Sequence, residues 1–496
     1  MIRNVPRIKI GLVAVSRDNF CRDLSLDTLR SVERYCIESS LSVFTAPTLV
    51  ETEQDAMQAL EEVRGNGCNA LAVLLGNFGP ETSETILAQY FPGPVMYVGA
   101  AEDAAGHLYD GRRDAYCGLL NCSYNLSLRN VRAYLPQNPI GTPSQIRNRI
   151  LEFIPVARAE IGLKALKIIT FGPRPKDFFA CNAPIKALYN LGVEIQENSE
   201  LDLVLAYRRH DADPRISAVT EEMVSELGGA KYPDTLVRMA QYELTLLDWL
   251  KENKGARAYA AFANKCWPAF QQEFGFLPCY VHGRLGARGI PVGCETDIYG
   301  ALSEYIGVCV GEAPVTLLDI NNSVPEDLYA RAVAGRYPYV REDLFIGFHC
   351  GNTPLPLMAK KELRYKMNRK DPRAPETGGE STRGTLEGQM IPGIVSCYRL
   401  HSTAEGSLQA YVAQGEILPV EMETYGCYGL FAIPQMARFY RHVLLEKHFP
   451  HHGSVLYGPH AVALFDLFAY LDVPYIGYNR GEEDRYEKEN PFQCVR

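Results

Sequence analysis

The stretch 291–322, PVGCETDIYGALSEYIGVCVGEAPVTLLDINN, decides how this chain is read. Glu295 closes one short apolar run and Asp319 closes another, and each run is of the type that forms a buried strand. Between them, DIYGALSEYIGVCVGEA has the periodicity of a helix and a glycine near its end. A strand–helix–strand unit sets two successive strand ends on the same edge of a sheet, so both carboxylates are expected to open into one crevice. Two carboxylates buried side by side are costly unless a cation neutralises them or one keeps a proton. Such a pair is expensive as mere structure and useful as chemistry.

Outward from this stretch, the N-terminal part alternates strand-like runs (IKIGLVAV, LSVFTAP, ALAVLLG, PVMYVG) with helical ones (SLDTLRSVERYCIES, EQDAMQALEEVRG). Continuous apolar strands between amphipathic helices indicate a doubly wound parallel sheet. After the first strand stands AVSRDNF in place of a glycine-rich dinucleotide fingerprint, so the layer pattern does not license a nicotinamide cofactor. The long helical segment PSQIRNRILEFIPVARAEIGLKAL leads into a second alternation, with strands expected at LKIITFG, LDLVLAY, ARAYAAFA, IPVGCE and PVTLLDI and a helix at PDTLVRMAQYELTLLDWLKEN. Beyond residue 322 the texture changes. KKELRYKMNRKDPRAPETGGESTRGTLEGQ is polar and turn-rich, MIPGIVSCYRL and GSLQAYVAQGEILPV read as antiparallel strands, and HAVALFDLFAYLD followed by VPYIGYN returns to a helix and a strand. The expected fold is α/β. Two Rossmann-like doubly wound parallel-sheet domains (1–165 and 166–322) precede a C-terminal mixed, β-rich domain with an antiparallel β-barrel (323–496).

Composition narrows the class. The chain has 496 residues, 47% hydrophobic and 22% charged, with a formal net charge of -9, which suits a multidomain globular protein and argues against nucleic acid as a partner. No run approaches the ~20 apolar residues of a membrane span, and the N-terminal apolar run falls short of a signal-peptide core, so a cytoplasmic location is expected. The 14 cysteines are scattered without a C-x-x-C pair, which favours reduced, buried thiols over a disulfide framework or a zinc finger.

Histidine is the third element. HFPHHGSVLYGPHAVALF holds His451, His452 and His460, and FIGFHCGNTP holds His349. An imidazole joining Glu295 and Asp319 makes a mixed nitrogen–oxygen set suited to Mn²⁺, Co²⁺ or Mg²⁺, with positions left open for substrate oxygens. Taken singly, each residue has a plainer reading. A Glu at a strand end is a cap or an ion pair, Asp319 before Asn321 and Asn322 is an Asx-turn residue, Asp297 caps the following helix, and tandem histidines sit on solvated turns.

Their combination and order resemble the L-fucose isomerase / L-arabinose isomerase superfamily, closest to the fucose isomerase branch. The matching features are E-T-D-I-Y-G-A-L from Glu295, the second carboxylate 319 − 295 = 24 positions on, the A-x-K-C-W-P segment around Lys265–Pro268, and H-G-S-V-L-Y-G, whose histidine falls on His452. The resemblance implies an aldose–ketose isomerase working through a cis-enediol, with Glu295, Asp319 and His452 holding Mn²⁺ (or Co²⁺ or Mg²⁺) and the two carboxylates moving protons. It implies a pocket role for His349, with Trp267, Lys265 and Asn352 as further substrate contacts and Arg17 and Arg22 as candidates for an N-terminal arginine of the family. His460 is offset by one position by Pro459. A homo-oligomer, trimeric or hexameric, is implied as well. L-fucose, D-arabinose, L-arabinose or a sugar bearing an anionic group remain open as substrates. The competing readings are a sugar-binding or sensor protein without catalysis and a metal-dependent aldolase or hydrolase.

Overall fold

Uninterrupted apolar runs form the inner strands of the computed structural model, which describes residues 2–365, 382–422 and 424–479. The described residues divide into two compact units, one of Pro6–Ile161 with Asp466–Asp472, the other of residues 2–5, Gly162–Phe465 and 473–479.

In the first unit, β1 (Ile10–Val15), β2 (Val43–Thr45), β3 (Ala70–Leu75), β4 (Val95–Ala100) and β5 (Ile140–Gly141) make a parallel sheet in the order β2-β1-β3-β4-β5. Every residue of β1, β3 and β4 is buried, as expected of strands covered by helices on both faces. The helix Glu53–Gly65 is fixed at its start by a reciprocal cap, in which Thr52 accepts from the Asp55 N–H and the Asp55 carboxylate accepts from the Thr52 N–H.

In the second unit, β6 (Leu166–Gly172), β7 (Glu194–Ser199), β8 (Tyr259–Ala263) and β9 (Val292–Gly293) form a parallel sheet in the order β7-β6-β8-β9. The remaining strands are β10 (Val315–Ser323), β11 (Leu344–His349), β12 (Glu362–Tyr365), β13 (Arg383–Gln389), β14 (Gly393–Ser402), β15 (Leu408–Leu418), β16 (Cys427–Ala432), β17 (His452–Tyr457) and β18 (Ile476–Tyr478). They make one mixed sheet, β12-β13-β16-β11-β10-β17-β14-β15-β18. Because β15 pairs with β16 as well as β14, the strands β16, β11, β10, β17, β14 and β15 follow one another in an antiparallel circuit.

Two sequence expectations are corrected. LDLVLAY is not a strand but lies in the helix Glu200–Arg209. Ser199 and Asp202 form a reciprocal cap that starts a helix there, and Leu203 and Ala206 are buried three apart on one face. PVTLLDI is not a strand of the parallel sheet. As β10 it pairs antiparallel with β11 and β17. The helix between the two carboxylates, Ile298–Gly311, is buried at every position from Tyr299 to Val310 and packs on β8 and β9 as well as on β10, β14 and β17. A helix apolar on all faces serves two sheets, so its crossover delivers the chain to a different one. Within the turn-rich stretch 360–389, residues 366–381 lie outside the described residues, and its two ends pair as β12 and β13.

The thirteen described cysteines are free of disulfides. No described helix is long and apolar enough to cross a membrane.

The first unit carries one buried acid whose cost is readable. Glu84 is fully buried, and burial pushes its carboxyl up to about 8 from an ordinary 4.5. A carboxyl raised in the fold holds a proton that the unfolded chain has already released, so its contribution is whole below pH 4.5. That contribution fades at about 1.4 kcal/mol per pH unit as pH rises toward the folded value. Replacing Glu84 with Gln is therefore expected to raise the unfolding temperature more at pH 8.5 than at pH 5, and thermal unfolding at the two pH values checks it.

Candidate active site

The centre of the second unit is built from four neighbouring strands of the antiparallel circuit. In the β10–β17 register Asp319 stands directly opposite His452, so their side chains share a face. β11, on the other side of β10, ends at His349, and β14, on the other side of β17, carries Arg399. Glu295 arrives from elsewhere, at the end of β9. There Glu295 and Thr296 both take left-handed backbone angles, φ 58 and 60. For a β-branched threonine this conformation is strained. The turn is held by Thr296 N–H to the Asn264 carbonyl and Asp297 N–H to the Cys294 carbonyl. Gly293 is required beside it, because a Cβ there would lie 2.4 Å from the Asp297 carbonyl oxygen.

His452 is the hub. Its Nε2 lies 3.4 Å from Glu295 Oε2 and 3.5 Å from Asp319 Oδ1, while Nδ1 is 2.8 Å from Asp297 Oδ2. Asp297 is itself gripped by Arg399 through two hydrogen bonds of 2.9 Å, one to each oxygen, with both side chains buried. Asp297 also caps the following helix by accepting from the Gly300 N–H. Burial opposes ionisation of Asp297, but the Arg399 charge and the His452 bond win and hold its carboxyl far below the usual range. The carboxylate on Nδ1 thereby orients the ring so that Nε2 faces Glu295 and Asp319.

The charge balance defines what the site can hold. Arg399 cancels Asp297. Glu295 and Asp319 then bring two carboxyl groups to one imidazole nitrogen. Both Nε2 of His452 and Oδ1 of Asp319 are buried without a hydrogen bond. Buried polar atoms are normally satisfied, and two orphans of complementary ligand type facing each other fit a divalent cation that accepts nitrogen and oxygen donors. In the geometry present, potential ligand atoms cluster as two triads sharing His452, one with Asp319 and His451 and one with Cys181 and Glu295. Burial pushes the Cys181 thiol up to about 11, so it is not a thiolate at neutral pH.

The other sequence candidates divide. Trp267 donates its indole N–H to Glu295 Oε1 at 3.2 Å. His349 is buried, with its ring 5.8 Å from that of His452, and burial lowers its pKa. Its Nδ1 accepts the Cys350 N–H at 2.8 Å, which leaves the proton on Nε2. Asn352 is buried with Oδ1 free of hydrogen bonds. Lys265 is paired with Glu200 at 3.0 Å. His460 sits just before the helix Ala461–Tyr470, its N–H bonded to Ser396. Arg17 and Arg22 belong to the first unit, Arg17 over Phe78 and 4.0 Å from Glu81, Arg22 3.3 Å from Glu51.

Sequence reasoning missed Arg399, Phe178 and Cys181. The segment after β6 carries Phe178, whose ring lies against Trp267, His451 and His452, and Cys181, 3.8 Å from His452 Nδ1. The cue for Arg399 was an arginine inside an otherwise apolar strand, since a buried cation needs a buried anion.

The two carboxylates thus face a histidine that is braced from behind, and sequence comparison identifies the lineage of the chain that carries them. Residues 11–164 match the N-terminal domain of the fucose/sulfoquinovose isomerases, and residues 347–479 match the C-terminal domain of L-fucose isomerase. A sulfoquinovose isomerase of Priestia aryabhattai is 25% identical over 313 residues, 61% of this chain and 67% of that protein. One from Alkalicoccus urumqiensis is 24% identical over 326 residues, covering 64% and 66%, and one from Clostridium sp. (strain MSTE9) is 30% identical over 175 residues, covering 34% and 37%. The chain belongs to the fucose isomerase-like family and is an aldose–ketose isomerase.

The two aspartates should separate cleanly in stability. Asp297→Asn leaves Arg399 buried without its anion and is expected to cost about 3–5 kcal/mol. Asp319→Asn removes a charge that has no hydrogen bond at Oδ1, and is expected to change stability by less than about 1 kcal/mol in metal-free buffer. Chemical denaturation of the two chelator-treated variants checks the order.

Proposed function

We propose that Glu295, Asp319 and His452 hold a divalent ion, Mn²⁺ by ligand type and resemblance with Co²⁺ or Mg²⁺ as alternatives, at which a sugar is converted between aldose and ketose. The observation that carries this is the convergence of both carboxylates on one buried nitrogen, at 3.4 and 3.5 Å, with that nitrogen and an Asp319 oxygen left without hydrogen bonds. The ion, when bound, supplies Lewis-acid stabilisation of negative charge on the two sugar oxygens that exchange carbonyl character.

The protein's own groups do the rest. Glu295 is the base that takes the proton from the carbon next to the carbonyl. Burial alone would raise its carboxyl, but the neighbouring imidazole of His452 and the Trp267 N–H outweigh burial and bring it below the ordinary value, so it is ionised at neutral pH. The Trp267 N–H fixes one Glu295 oxygen and leaves the other for proton transfer. Asp319 assists at the sugar oxygen. His349, with its proton on Nε2, and the free Asn352 oxygen offer a donor and an acceptor to hydroxyl groups. The six-strand circuit is the barrel wall on which Asp319, His452, His349 and Arg399 are mounted.

Sulfoquinovose, a sugar carrying a sulfonate, is the preferred candidate substrate because the relatives matched over the longest stretches act on it, and L-fucose, D-arabinose and L-arabinose are the comparators. Arg174 suits the anionic end. It is half-buried, stacks 4.3 Å over Phe179 in the same segment as Phe178 and Cys181, and makes no ion pair among the described residues. Activity in a reducing, cytoplasmic setting and assembly of several copies, in threes or sixes, complete the reading.

Purified protein loaded with Mn²⁺ and incubated with each sugar is expected to give a product of unchanged mass by NMR and mass spectrometry, fastest with sulfoquinovose. A chelator is expected to abolish the reaction and Mn²⁺ to restore it. Glu295→Gln or Asp319→Asn should lower kcat at least ~10³-fold with the fold intact. Near-normal turnover in either variant overturns the assignment. Arg174→Gln should raise KM for the sulfonated sugar at least ~10-fold and leave that for a neutral sugar unchanged.

A further inference from the structure

The helix Ala115–Leu128, AYCGLLNCSYNLSL, contains no charged residue and is apolar on two faces. One face, with Ala115, Leu119, Cys122 and Leu126, is buried in the core of the first unit. The helix is seated so closely that a Cβ on Gly118 would lie 2.0 Å from the Phe78 carbonyl oxygen. The other face carries Tyr116, Leu120, Tyr124 and Leu128, which are 74%, 66%, 65% and 63% exposed. These four are spaced four apart and so form a single stripe along the helix. Asn121 and Asn125 flank it and donate to Glu81, giving the stripe a polar rim.

We infer that this stripe is the contact between two copies of the chain, packed antiparallel about a twofold axis. The inference gives a surface to the assembly proposed above and does not depend on the catalytic reading. Three observations choose a second copy as the occupant. The four side chains present roughly 500 Å² of apolar surface, at the upper end for a patch on a monomer and more than half of the ~800 Å² that each partner contributes to a standard interface. The molecule carries a formal net charge of -9, and this helix offers a second copy a face that adds no like-charge contact of its own. The same charge disfavours an anionic membrane surface. The order Tyr–Leu–Tyr–Leu is also complementary to its own reverse. Antiparallel packing sets Tyr116 against the copy's Leu128 and Leu120 against its Tyr124, so each ring meets an aliphatic side chain, as an isologous contact requires.

Light scattering coupled to gel filtration tests this on the full chain. The unmodified protein is expected at a multiple of 55.4 kDa. The double variant Leu120→Asp/Tyr124→Asp should fall to half that mass or less, with its far-UV circular dichroism and unfolding temperature unchanged. If the double variant does not fold, Tyr116→Asp, at the exposed first turn, is held to the same criterion. A monomeric unmodified protein overturns the inference, and so does a folded variant whose mass is unchanged, which would assign assembly to another face. A monomer that gains mass only with a different protein would assign the stripe to that partner and overturn it equally.

Discussion

The buried pair of Asp297 and Arg399 is the constraint on which the site rests. A guanidinium with no exposure can be tolerated only if its anion is held in a matching fork, and here both Asp297 oxygens are engaged. The same carboxylate then meets three demands at once. It neutralises Arg399, starts the helix Ile298–Gly311 and sets the orientation of the His452 ring. Since Asp297 lies two residues after Glu295, any shift that satisfies Arg399 also fixes the strained turn that aims Glu295. The Glu295 carboxylate and the carboxylate that holds the frame are separated by a single threonine.

That arrangement explains how two unrelated sheets cooperate. The parallel sheet ends at β9 in a left-handed turn and offers Glu295. The antiparallel circuit offers Asp319 and His452 from adjacent strands whose register puts them on one face, and His349 from the end of the next strand. The helix between them is buried throughout and serves as the joint. With Glu295 carried by the parallel sheet and Asp319 and His452 by the circuit, the three side chains converge where the two sheets meet, and Phe178 packs against the rings of Trp267 and His452 beside them.

Much of this was legible in the residues. The E-T-D turn and the aspartate that ends the next apolar run pointed to Glu295 and Asp319, the family resemblance of the H-G pair pointed to His452, and the fold brings the three side chains together. The parallel sheet of the N-terminal part was equally open to reading, since strands buried on both faces are apolar without alternation. The partners of PVTLLDI were not legible. An apolar run buried on both faces looks alike in parallel and antiparallel pairing, and register with residues far along the chain leaves no local mark. LDLVLAY misled for a different reason, as the decision lay in the Ser199–Asp202 cap and not in the apolar residues. Asp297 was weighed only as a cap; its bond to His452 spans 155 positions and could be found only by folding.

The pairing of β10 with β17 has a consequence for biosynthesis. Asp319 and His452 are 452 − 319 = 133 positions apart, and β10 lacks its neighbour on one side until β17 has left the ribosome. For that interval an apolar strand edge stands unpaired, and such edges recruit other chains. The growing polypeptide therefore passes through a stage in which the edge that carries Asp319 is open to other chains, and closing the circuit removes that hazard in the same step that sets His452 opposite Asp319.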